Sequence, residues 1–142
     1  MLIEVLNRQR RRRMDGEHWR AFAEKALREA DAGSEGATIV FVSDRAIREL
    51  NKRFRGRDAA TDVLSFPTER AEFEAAEDFN SGDVVISVER AARQAAEHGL
   101  KFDEEIAQLI LHGLLHLSGY DHETDKGEMN RLEIRLRRRL GI

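Results

Sequence analysis

The run from Phe102 to Gly119 constrains this chain more than any other stretch. Phe102, Ile106, Leu109, Ile110, Gly113, Leu114 and Leu117 recur at helical spacing, and from Leu109 onward the run is apolar nearly all round. A helix with so little polar surface belongs in the middle of a domain. Asp103, Glu104 and Glu105 fall in its first turn, where acidic charge complements the helix dipole. Two of its positions, however, are His112 and His116. Four residues apart, their imidazoles project from one face, one turn apart. Gly119 ends the helix, since it takes a left-handed conformation without a Cβ clash. The turn through Tyr120 and Asp121 can then bring His122 back toward the first two. A lone buried histidine is usually a hydrogen-bonded core residue. Three of the chain's five histidines within eleven residues are hard to attribute to packing. Three neutral imidazoles converging with a fourth position open describe a catalytic zinc site, with one Zn2+ per chain expected. The chain has no cysteine, so an all-imidazole site does not select softer metals; iron, nickel and cobalt stay open.

The same spacing matches the H-E-x-x-H-x-x-G-x-x-H pattern of metzincin proteases except at one position. Their glutamate, the base that activates water, is replaced by Gly113. A helical glycine costs about 1 kcal/mol against alanine, so something needs the space. Close helix packing is one account, and room beside the metal for a bulky substrate is the other.

The remaining elements can be read in order. Leu2 to Leu6 alternates loosely, as a strand does. Arg8 and Arg10 to Arg13 form a basic run, either a phosphate-binding arm or a solvated loop. Asp15 reads as the N-cap of an amphipathic helix carrying Trp19, Phe22, Ala23, Ala26, Leu27 and Ala30, with His18 at its surface. Thr38 to Val42 is a β-branched strand buried on both faces. Ser43-Asp44 caps a helix with Ile47, Leu50 and Phe54, which frays into Arg53, Arg55, Gly56 and Arg57. Val63 to Phe66 is a strand closed by Pro67, the only proline. The segment from Thr68 to Ser81 is long and acidic for a connection, and is expected to be mobile and away from the cleft. Gly82-Asp83 opens a strand over Val84 to Val88, able to pair with Val63 to Phe66. Glu89 to Glu97 is a short helix ended by His98-Gly99, with the histidine favoured at a helix C-terminus rather than as a ligand. Asp125 is placed at the start of a last helix whose stripe is Met129, Leu132, Leu136 and Leu140, and whose end is strongly basic. The pattern βαβαββααα indicates an α+β fold. It consists of a small, mostly four-stranded mixed sheet with about five helices and the three-histidine metal helix at the centre, as a single domain over residues 1–142.

Charge and length bound the function. With 142 residues, 36% of them charged, and a net charge of −3, the chain has no global basic field; any RNA contact needs a local patch. No apolar run is long enough for a bilayer, and Met1 to Val5 does not read as a signal-peptide core. The absence of cysteine fits a reducing cytoplasm, and no membrane association is expected.

The motif His112-Gly113-Leu114-Leu115-His116-Leu117-Ser118-Gly119-Tyr120-Asp121-His122 resembles the signature of the YbeY family of bacterial metal-dependent endoribonucleases, also called rRNA maturation factors. Leu50 to Gly56, Thr61-Asp62-Val63-Leu64-Ser65-Phe66-Pro67 and Gly82 to Ser87 agree with it, so the likeness runs from about Ser43 to the C-terminus. The resemblance implies a zinc-dependent, single-strand-specific endoribonuclease in rRNA processing (16S rRNA 3′-end maturation) and ribosome quality control. Its expected partners are single-stranded RNA, with rRNA as the substrate, and the ribosome or ribosomal proteins, with no DNA. It makes Arg55 the catalytic arginine facing the metal cleft, since guanidinium pairs bidentately with phosphate oxygens. Arg53 and Arg57 are taken with it as substrate contacts. Asp121 either supports His122 from behind or is an ordinary turn aspartate. The base is open among Asp121, Glu123, Asp62 and the RNA's own 2′-hydroxyl. Two other classes stand beside this one: a zinc hydrolase such as a peptidase, against which Gly113 argues, and a ribosome-associated binding protein with structural zinc.

Overall fold

A computed structural model describes residues 2–30, 35–69, 79–121 and 124–142. Among the described residues nine elements follow in the order β1 (Ile3–Asn7), α1 (Gly16–Glu29), β2 (Gly36–Val42), α2 (Asp44–Arg55), β3 (Val63–Pro67), β4 (Asn80–Ser87), α3 (Val88–His98), α4 (Phe102–Leu117) and α5 (Glu128–Leu140). The strands form one mixed sheet in the order β1-β2-β4-β3. The β1–β2 and β2–β4 pairs are parallel. β3 returns antiparallel along β4, with Val63 opposite Ile86 and Pro67 opposite Gly82. Proline is tolerated there because β3 is an edge strand, whose outer N–H groups have no ladder to complete.

Strand side chains alternate between two unequal faces. Ala37, Ile39 and Phe41 of β2 and Val84 and Ile86 of β4 enter the main core with α1, α3, α4 and α5. Val42 and Val85 point the other way and meet Ile47 of α2, the helix that partly covers the second face. α4 is the central helix: Ile106, Ile110, Leu111, Leu114 and Leu115 are all buried. This explains its apolarity all round.

The caps follow the sequence. The side chains of Asp15, Ser43 and Ser87 accept from backbone N–H groups in the first turns of α1, α2 and α3. Several boundaries differ from the sequence expectation: β1 and β2 are Ile3–Asn7 and Gly36–Val42 rather than Leu2 to Leu6 and Thr38 to Val42. β4 begins at Asn80 rather than Gly82, because its early residues complete the parallel ladder to Gly36. α3 starts at Val88, capped by Ser87. α5 starts at Glu128, although the Asp125 carboxylate still accepts from the backbone N–H of Gly127 and of Met129. The acidic stretch from 70 to 78, for which mobility was expected, lies outside the described residues.

Candidate active site

α4 lies against β3 and β4 where Gly113 removes the obstacle. A Cβ on Gly113 would sit 2.4 Å from Val84 Cγ1 and 3.3 Å from Ser65 Oγ. The Ser65 hydroxyl donates to the Gly113 carbonyl at 3.2 Å. Of the two accounts of this glycine, close packing is therefore the one the geometry supports. A glutamate at this position has no room beside Val84.

Flanking that contact, one residue before Gly113 and three after it, His112 and His116 face a common cavity. Their Nε2 atoms are 3.1 Å apart and their rings meet edge to face, centroids 4.7 Å apart. Two nitrogens bound to one tetrahedral zinc at about 2.0–2.1 Å lie about 3.3–3.4 Å from each other, so the pair fits two corners of such a site. The other nitrogen of His112 is engaged. Nδ1 lies 2.5 Å from Glu133 Oε1 of α5, and Glu133 is only 6% exposed. A carboxylate accepting from Nδ1–H leaves the Nε2 lone pair for a metal, the usual outer arrangement around a ligating histidine. Arg137, one turn further along α5, donates to the second Glu133 oxygen at 3.2 Å. The third expected ligand, His122, lies outside the described residues, as does Glu123. Among the described residues no group of three His, Cys, Asp or Glu side chains assembles a metal set.

The cavity, of about 490 Å³, is lined by Arg55, Val63, Leu64, Ser65, Pro67, His112, His116, Gly119, Tyr120 and Asp121. Arg55, at the end of α2, therefore lines the same cavity as the imidazoles. Its Nη2 donates to the Ser65 carbonyl at 2.6 Å, and its guanidinium lies 5.4 Å from the centroid of Phe66. Gly119, at φ +99°, turns the chain so that Tyr120 and Asp121 form the rim beyond α4. The Asp121 carbonyl accepts from the N–H groups of Thr124 and Asp125. Arg53 lines a different groove on the second sheet face, and Arg57 is exposed in the turn after α2. Asp62 is absorbed locally, its carboxylate accepting from Val63 N–H at 2.8 Å. His98 pairs with the buried Glu105 at 2.9 Å, away from this cavity.

Glu133 was missed in the sequence, although a signal was there. It sits within the apolar stripe of Met129, Leu132 and Leu136, a position where a carboxylate is buried only with a partner.

Fold and cleft together define an α+β protein with a paired-imidazole cleft faced by an arginine. Sequence comparison identifies the family. The profile described as Endoribonuclease YbeY matches residues 4–141, reaching further toward the N-terminus than the motifs alone. The chain is similar to Endoribonuclease YbeY of Geobacter metallireducens, 36% identical over 138 residues, covering 96% of this chain and 92% of that protein. It is 50% identical to Endoribonuclease YbeY of Koribacter versatilis over 112 residues, covering 78% of this chain and 69% of that one. The chain belongs to the Endoribonuclease YbeY family. A solution structure of a Thermotoga maritima protein shares the fold, with a TM-score of 0.65, 27% identity, and 98% and 89% of the two chains covered.

Proposed function

We propose that this chain is a zinc-dependent endoribonuclease of single-stranded RNA, acting in rRNA processing and in quality control of the ribosome. The observation that carries the proposal is one cavity receiving both a guanidinium, from Arg55, and two facing imidazoles, from His112 and His116. Both kinds of group suit a phosphodiester: donors for its oxygens and a site for a cation. His112, His116 and His122 would hold the zinc, with Glu133 keeping the His112 tautomer that presents Nε2. Zinc, when bound, supplies Lewis acidity toward a phosphoryl oxygen or a water. Arg55 binds the scissile phosphate by two parallel N–H bonds and stabilises the charge that develops on it. The Ser65 carbonyl and the face of Phe66 hold that guanidinium at the wall of the cavity before substrate arrives. Asp121 stands at the rim beside His122 in sequence and supports its orientation.

Family membership supports the ribonuclease assignment, and Gly113 counts against a peptidase that would need a glutamate there. Two measurements test the proposal together: metal content of the purified protein, and cleavage of an unstructured RNA with and without chelator. Stoichiometric zinc and chelator-sensitive cleavage are expected, both lost in His116→Ala. Cleavage that persists in metal-free protein overturns the metal-dependent assignment.

A further inference from the structure

Phe54 is 58% exposed, a large aromatic ring facing water at the last turn of α2, next in sequence to the arginine that enters the cleft. Its edge-to-face partner is Phe66, with centroids 5.5 Å apart. Guanidinium groups accompany both rings: Arg53 lies 5.5 Å from the Phe54 centroid and Arg55 lies 5.4 Å from that of Phe66. Arg55 lines the metal-facing cavity, whereas Phe54, Phe66 and Arg53 line the groove on the second sheet face. The aromatic pair thus lies in the groove beside the cavity, and Arg55, which lines the cavity, reaches the Phe66 ring.

Resting on the ribonuclease reading above, we infer that Phe54 is a stacking platform for one nucleobase, belonging to a nucleotide next to the phosphate held by Arg55. Single-stranded RNA offers unstacked bases, and proteins take them up on aromatic faces flanked by arginine. Charge decides how far the strand runs. Arg8, Glu4, Glu49 and Asp83 also line the groove, and Asp83 stands directly across the ladder from Phe66. Burial pushes the Asp83 carboxyl above its ordinary range, and Glu4 and Glu49 balance the two arginines of the groove. Such a balanced surface accepts a neutral base on its aromatic pair and offers a phosphate no net positive charge. The RNA backbone therefore stays at Arg55 in the cavity, and only the base crosses onto the aromatic pair.

The test is a double-mutant cycle on the zinc-loaded protein, with a labelled, unstructured oligoribonucleotide and a series carrying one abasic residue at successive positions. Phe54→Ala is expected to lower kcat/KM about tenfold, within the range of a single base stack on an aromatic side chain, mainly through KM. Phe54→Trp should retain activity. At one position in the series, the abasic substitution should cost the parent enzyme about as much as Phe54→Ala does, and cost Phe54→Ala nothing further. Zinc content and melting temperature report whether each variant is intact. If Phe54→Ala unfolds, Phe54→Leu decides the matter, since it keeps apolar packing without the π face and should behave as the alanine variant was expected to. Equal kcat/KM for parent and leucine or alanine variant, or additive losses at every abasic position, overturns the platform while leaving the ribonuclease assignment standing. A parent protein that is fully zinc-loaded and cleaves no RNA overturns both.

Discussion

The pairing of His112 with Glu133 gives a prediction with a definite size. The carboxylate is almost wholly buried, accepts from Nδ1 at 2.5 Å, and is held from behind by Arg137. Glu133→Gln keeps the shape and one acceptor oxygen but removes the charge that raises the basicity of the opposite ring nitrogen. Loss of such an outer partner typically weakens metal binding by about 10- to 100-fold, or about 1.4–2.7 kcal/mol. The glutamine variant should fall near the tenfold end. Glu133→Ala should fall near the hundredfold end, and it also strands the His112 N–H and the Arg137 guanidinium, each at a cost of about 1–3 kcal/mol of folding stability. The assay is competition for zinc between the purified protein and a chelator of known affinity, beside urea unfolding of the metal-free protein. The glutamine variant separates the two effects, since its fold should change little while its zinc affinity drops. If both variants hold zinc as the parent does, the carboxylate is only a buried salt-bridge partner for Arg137.

Arg55→Ala should keep zinc content and melting temperature nearly unchanged while cutting RNA cleavage strongly, and Arg55→Lys should recover only part, because an ammonium lacks the bidentate fork; an alanine variant that cleaves as well as the parent would remove the arginine from the mechanism. Gly113→Ala normally gains about 1 kcal/mol in a helix, but here the methyl meets Val84 at 2.4 Å, so a net loss of about 1–2 kcal/mol is expected in urea unfolding. A more stable variant would mean that α4 is free to move off the sheet. Asp121→Asn should weaken zinc retention if the carboxylate supports His122, and unchanged affinity by chelator competition would make it a turn residue only.

Much of this was legible in the sequence because periodicity and burial report on the same thing. The apolar run from Leu109 to Leu117 could only be a central helix, and the i, i+4 spacing of His112 and His116 required that they share a face. The pairing of β3 with β4 was legible too, since two short apolar strands adjacent in sequence favour an antiparallel return. The order β1-β2-β4-β3 was not, because strand patterns say which face is buried and not which neighbour supplies the ladder. The ambiguity at Gly113 was resolved only by distance: a sequence says that a side chain is missing, but not what occupies its place. Glu133 lies twenty-one residues from His112, and only the packing of α5 on α4 joins them. The arginines near α2 looked alike in sequence, yet the helix turn sends Arg55 into the cleft and Arg53 onto the other face.

Ser65 joins the two halves of the cleft through a single residue. Its carbonyl takes the hydrogen bond of Arg55, and its hydroxyl reaches the backbone of α4 between the two histidines. The span between the Arg55 guanidinium and the imidazoles is thus gauged by the register of β3, not by the fit of side chains. A slip of one residue would turn Ser65 to the other face and dismantle both attachments at once. β3 is five residues long, only partly buried, and paired on one side alone. Edge elements of this kind open locally at a lower free energy than the core they border. The working geometry of the cleft therefore melts with its edge strand, and on warming, activity should fade while α4 and the main core are still folded.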